Sequence, residues 1–156
     1  MTIYDRLKAD HDRLRDLFAR LTEAEGDDRR PLFMELQRAL WAHHKIEEVV
    51  FYEPLRHAAE TRGEVLEGLN EHHMLNGLTE ELNAMPSGNE AWTAKLQVLD
   101  ELVRHHLDEE EEEIFEEAKS VLDDAQARLM AGEWDARRAK LLDALAPLDL
   151  PAAPRP

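Results

Sequence analysis

The segment His43-His-Lys-Ile-Glu-Glu-Val-Val-Phe-Tyr52 decides the fold, because its pattern recurs later in the chain. His106-Leu-Asp-Glu-Glu-Glu-Glu-Glu-Ile-Phe115 aligns with it without a gap, setting His43 against His106, Glu47 against Glu110 and Tyr52 against Phe115. Residues i and i+4 share one face of a helix, so each His-x-x-x-Glu pair aims an imidazole and a carboxylate at a common point. The repeat extends upstream, where His11-Asp-Arg-Leu14 matches His72-His-Met-Leu75. His11 precedes His43 by 32 residues and His72 precedes His106 by 34. Two helical hairpins of one type, facing each other, would build a pseudo-twofold site with three ligands from each half.

Around these segments the chain reads as helix almost throughout. It has 24 Leu against six Val and three Ile, a composition poor in strand-forming residues. Breaks fall at Gly26-Asp-Asp-Arg-Arg-Pro31, at Thr61-Arg-Gly63, at Pro86-Ser-Gly-Asn89 and, more weakly, at Gly132. They delimit helices near 2–25, 31–61, 64–85 and 90–119, plus a shorter piece to about residue 146. Pro54 should kink or end the second helix. Apolar stripes at three- and four-residue steps run through each: Leu7, Leu14, Phe18 and Leu21; Phe33, Leu36, Leu40 and Val50; Val65, Leu69, Leu75, Leu78 and Leu82; Trp92, Leu96, Leu99 and Val103. Short connections favour antiparallel neighbours, so the expected class is all-α. The architecture is an up-down-up-down antiparallel four-helix bundle with an additional short C-terminal helix. The expected organisation is a bundle over 1–120, a helical extension over 121–146 and a proline-rich tail over 147–156.

Each stripe is interrupted by histidine: His11 on the first, His43 with Glu47 on the second, His72 on the third, His106 with Glu110 on the fourth. Four imidazoles and two carboxylates converging inside a bundle destabilise it by several kcal/mol if unpaired. A pair of divalent or trivalent cations removes that cost, since neutral imidazole and carboxylate oxygen are their ligands. The doublets His43/His44, His72/His73 and His105/His106 are resolved by stripe. His44 shares a face with Gln37 and Glu48, His73 with Asn76 and Glu80, and His105 with Glu101 and Glu112, which assigns these three to supporting or surface positions. Glu48 is a candidate to orient a ligand imidazole. The run Asp108–Glu113 reads as a solvated face apart from Glu110. Trp41, Trp92 and Trp134 read as packing and His57 as surface; Tyr52, one turn past Glu47, is placed to line the site, with packing the leading reading.

The order His … His-x-x-x-Glu … His … His-x-x-x-Glu, with Phe51-Tyr52 and Ile114-Phe115 after its two most specific segments, resembles the hemerythrin-like HHE cation-binding domain over residues 1 to about 120. The resemblance implies a four-helix bundle holding a non-haem di-iron centre of two Fe ions. In it His11, His43, His72 and His106 would be terminal ligands, and Glu47 and Glu110 would bridge. The sequence departs from the oxygen carriers of that family. They place a fifth histidine four residues after the third-helix ligand, where Asn76 stands here, and an Asp five residues after the last ligand, where Glu111 stands. Two His per metal and an open position are therefore expected, which suits peroxide or nitric oxide chemistry better than simple oxygen carriage.

Composition sets the outer limits. The 156 residues suffice for one domain, and 43% hydrophobic content supports a buried core. With 35 Asp+Glu against 19 Lys+Arg, the net charge of −16 opposes nucleic acid and anionic membrane partners. The lack of cysteine excludes disulfides, thiolate catalysis and iron–sulfur clusters. A charged N-terminus and no membrane-length apolar run make a cytoplasmic protein the expectation. The leading functional expectation is binding or sensing of O2, NO or peroxide at a carboxylate-bridged di-iron centre. Behind it stand a peroxide-decomposing or oxidase enzyme on the same centre, and a structural bundle holding zinc. Zinc prefers four ligands and has no redox chemistry, so six well-placed donors favour iron or manganese.

Overall fold

The computed structural model describes residues 1–145, so the expected tail over 147–156 lies outside the described residues. Helix α1 (Ile3–Glu23) starts where the Thr2 backbone N–H donates to the Asp5 carboxylate at 2.8 Å. A 3₁₀ turn (Gly26–Asp28) follows, opened by Gly26 at φ 59°, a left-handed value that glycine adopts without a Cβ clash. Helix α2 (Arg29–Glu47) continues without interruption through a π-helical turn (Glu48–Tyr52) into the short α3 (Glu53–Leu55). Pro54 has no N–H to extend the ladder, and the rod ends one residue beyond it. Helix α4 (Arg62–Ala84) returns, entered through buried Thr61, whose hydroxyl donates to the Leu55 carbonyl at 2.5 Å. Asn89 caps α5 (Glu90–Glu109), its side-chain oxygen accepting the Trp92 N–H at 2.8 Å. A second π-helical turn (Glu110–Ile114) leads into α6 (Phe115–Ala118), and α7 (Asp124–Leu145) closes the described chain.

The four long rods pack as the sequence pattern implies: α1 beside α2, α4 beside α5, and the square closed by α1 against α5 and α2 against α4. The stripe residues are buried, except that Leu69 and Leu78 are half-covered at its edge. The apolar interior comes in two bodies. One, around Leu14, Phe18, Leu36, Leu82, Trp92 and Leu99, fills one end; the other, around Ile3, Leu7, Phe51, Tyr52, Leu55 and Phe115, fills the other. Every interrupting histidine falls between them, because on each rod it sits between a stripe residue of one body and a stripe residue of the other.

The C-terminal helix departs from expectation. It runs for 22 residues, passes through Gly132 without a break, and packs along α1 and α2. A glycine inside a helix costs about 1 kcal/mol relative to alanine. Burial of Ala127, Met130 and Trp134 in the second apolar body outweighs that. Among the described residues no helix is long and apolar enough to cross a membrane.

Candidate metal centre

The structure brings His11, His43, Glu47, His72, His106 and Glu110 together, all buried, in the layer between the two apolar bodies. Each imidazole is held from outside by a carboxylate on a neighbouring rod. His11 Nδ1 donates to Glu111 Oε2 at 2.7 Å and His43 Nδ1 to Asp10 Oδ2 at 3.0 Å. His72 Nδ1 donates to Glu48 Oε2 at 2.8 Å and His106 Nδ1 to Glu71 Oε1 at 2.7 Å. Since a carboxylate accepts, Nδ1 carries a proton in all four rings, and Nε2 is the nitrogen that each turns toward the centre. His72 Nε2 and His106 Nε2 lie 3.2 Å apart. Two lone pairs at that distance repel unless a proton or cation lies between them.

The carboxylates complete the layer. Glu47 presents Oε2 to His43 Nε2 at 3.6 Å and Oε1 to His72 Nε2 at 3.0 Å. Glu110 presents Oε1 to His11 Nε2 at 3.2 Å and Oε2 to His106 Nε2 at 3.7 Å. Each carboxylate thus faces the first hairpin's imidazole with one oxygen and the second hairpin's, in part, with the other. Donor atoms of His11, His43, Glu47 and Glu110 all lie within 4.8 Å of one another. Among them His11 Nε2, His43 Nε2, both Glu47 oxygens and Glu110 Oε1 are buried with no hydrogen-bond partner. Orphaned buried polar atoms are rare in folded proteins, and a group of them converging from four rods fits cation ligands by chemistry and by position.

Without a cation the electrostatics are frustrated. Burial, with the neighbouring charge of Glu110, pushes the Glu47 carboxyl well above the ordinary carboxylate range. Burial pulls Glu110 the same way, but the proton kept on Glu47 and the His11 imidazole outweigh it and hold Glu110 well below. Burial lowers His43 to about 4. Two π-helical turns begin at or just after the two carboxylates, and such turns are frequent at functional positions.

Several placements differ from the sequence reading. His44, assigned to a supporting or surface position, is fully buried; its ring stacks on His72 with centroids 3.8 Å apart. Its shared face with Glu48 turns inward because the rod lies deep between α4 and α7. Tyr52, read chiefly as packing, donates its hydroxyl to Glu110 Oε2 at 2.7 Å and stacks on His72. Glu111, read as part of a solvated run, reaches across to α1 to hold His11. Trp134 packs edge-on to His43 with centroids 5.6 Å apart, while Trp41 is partly exposed. Glu48, singled out in the sequence as a carboxylate to orient an imidazole, accepts from His72 Nδ1. His57, His73 and His105 are exposed, as expected. Asp10 went unnoticed in the sequence; it accepts from His43 and also receives the Arg138 guanidinium from α7.

A profile for the hemerythrin HHE cation-binding domain matches residues 2–118, taking in all six of the residues above. The chain belongs to the hemerythrin HHE cation-binding domain family. A crystal structure of a hemerythrin HHE cation-binding domain-containing protein from Mycobacterium kansasii shares the fold of this HHE domain. Its TM-score is 0.78 at 23% identity, over 94% of this chain and 93% of that one. A curated protein of Nostoc sp. (strain PCC 7120) named DNA nickase is 25% identical over 142 residues, 90% of this chain. The chain spans 40% of that relative's length.

Proposed function

We propose that this HHE domain is a non-haem di-iron protein that binds or senses a small diatomic or peroxidic ligand: O2, NO or H2O2. The observation that carries the reading is the set of buried, unpartnered donors of His11, His43, Glu47 and Glu110 facing His72 and His106 across one layer. In this reading His11, His43, His72 and His106 would hold the ions as terminal ligands, and Glu47 and Glu110 would be shared between them. Bound iron would supply the electrons for reducing the small ligand. The protein's own part is positional. Asp10, Glu48, Glu71 and Glu111 fix the tautomer and direction of four imidazoles. Tyr52 keeps its proton, since burial and the two carboxylates push its hydroxyl well above the ordinary range, and so holds Glu110 as a donor. The apolar bodies on either side limit access of bulk water.

A structural zinc pair is the competing occupant, since two imidazoles and two shared carboxylate oxygens per ion match zinc's four-coordinate preference. The activity named for the longer Nostoc relative does not enter the reading, because a net charge of −16 opposes a phosphate backbone. Metal analysis with an optical spectrum before and after oxygen or peroxide tests the proposal. The expected result is close to two irons per chain, with a near-ultraviolet band that changes on exposure. One metal per chain, or zinc alone, overturns it. Sustained oxygen release from peroxide would favour an enzyme over a binding protein.

A further inference from the structure

His44 is the one fully buried imidazole that these six residues leave out. Its ring lies within 14° of parallel to that of His72 and meets His106 edge-on at 6.2 Å. On its outer side Nδ1 faces Asn76 Oδ1 at 3.4 Å, which leaves the proton on Nδ1 and the lone pair on Nε2. That Nε2 is buried with no hydrogen-bond partner, and donor atoms of His44, His72 and His106 all lie within 4.8 Å of one another. Packing does not account for it. An aromatic ring without nitrogen would fill the same space and avoid the cost of an unpaired polar atom. The pattern is that of the other four imidazoles: a hydrogen-bond acceptor from a neighbouring rod behind Nδ1, and Nε2 pointing into the layer.

We propose that His44 is a fifth imidazole ligand of the centre. It makes a three-histidine side with His72 and His106, opposite a two-histidine side formed by His11 and His43. The inference rests on the di-iron reading above and deepens it. Asn76 is then the positioning residue for His44, an amide standing where the other four imidazoles have carboxylates. The adjacent pair His43-His44 serves both sides from one rod, because successive residues on a helix point about 100° apart and α2 lies between the α1 and α4 contributions.

His44→Phe keeps the ring and removes the donor, and the full chain purified from iron-supplied cells gives the readout. The expected iron content falls from close to two per chain to about one, with the near-ultraviolet band reduced. The thermal midpoint of the metal-free variant should equal or exceed that of the metal-free wild type, since an orphaned polar atom has been removed. Should His44→Phe not fold, His44→Ala is compared with the double variant His44→Ala/Asn76→His, which returns an imidazole from α4 and should regain iron. A folded His44→Phe or His44→Ala variant with the iron content of the wild type overturns the assignment of His44 alone. A wild type that holds no iron overturns the di-iron reading instead.

Discussion

At the scale of single residues, the acidic run 108–113 shows how differently neighbours of like charge are used. Glu110 is fully buried among imidazoles, Glu111 is half-buried and bonded to His11 and Arg15, and Glu112 is exposed. Hydrogen bonds from His11 and Arg15 outweigh burial and hold the Glu111 carboxyl down at about 2, so it is ionised whenever the imidazole needs an acceptor. Removing a partner that orients a metal-ligating imidazole costs about 10–100-fold in metal affinity. Glu110→Ala and Glu111→Ala should therefore both release iron to a chelator far faster than wild type, whereas Glu112→Ala should match it. Equal release from all three would mean that the run acts as a diffuse charge, and the assignment of Glu110 and Glu111 would be wrong. In the sequence Glu110 was legible from its stripe. Glu111 was not, because its partner lies on another helix 100 residues away.

At the scale of elements, the contact between α4 and the π-helical turn after α2 sets where the hydroxyl of Tyr52 sits. A Cβ on Gly68 would lie 2.6 Å from Tyr52 Oη and 3.0 Å from its ring carbon, so only glycine lets α4 approach this closely. Gly68 is not a turn residue here; it lies inside a 23-residue helix, buried against the aromatic ring. Gly68→Ala gains helix propensity of about 1 kcal/mol but overpacks the interface, which costs roughly 1–3 kcal/mol. The expected net result is a lower thermal midpoint together with weaker iron retention, as Tyr52 is driven off Glu110. An alanine variant as stable and as iron-rich as wild type would show that the ring position is not set by this helix. The helices themselves, their breaks at Gly26, Thr61 and Asn89, and their apolar stripes were readable from spacing. The π-helical turns were not, since residue spacing does not distinguish a π-helical turn from a plain α-helix.

At the scale of the whole molecule, the buried layer couples folding to pH. In the metal-free chain, desolvation holds His43 at about 4, His44 well below its ordinary value and His72 below it as well. The unfolded chain protonates these three near pH 6.5, so the stability due to their neutral forms is complete above that value. It is lost as the pH falls toward 4. Glu47, whose carboxyl is pushed up by burial, works in the opposite sense, and His11, raised on balance by Glu110 and Glu111, adds no loss below its unfolded value. Three imidazoles kept neutral outnumber one carboxyl kept protonated, so the net slope is set by the histidines. The thermal midpoint of chelator-treated protein should fall steadily from pH 7 to pH 4.5; a flat or rising midpoint would contradict the burial of neutral imidazoles.

The sequence by itself determined the helices, their antiparallel order and six of the residues in the buried layer. It could do so because a helix converts spacing directly into direction: every third or fourth residue shares a face, and a gap-free repeat exposes equivalent faces. Tertiary structure alone decided the rest. Asp10, Glu71 and Glu111 hold imidazoles on other rods, Tyr52 needs Gly68 to reach Glu110, and α7 buries Trp134 against His43. It also turned His44 inward, which no single-helix stripe can specify, because a residue at the margin of a stripe is buried or exposed according to how closely the neighbouring helices approach it.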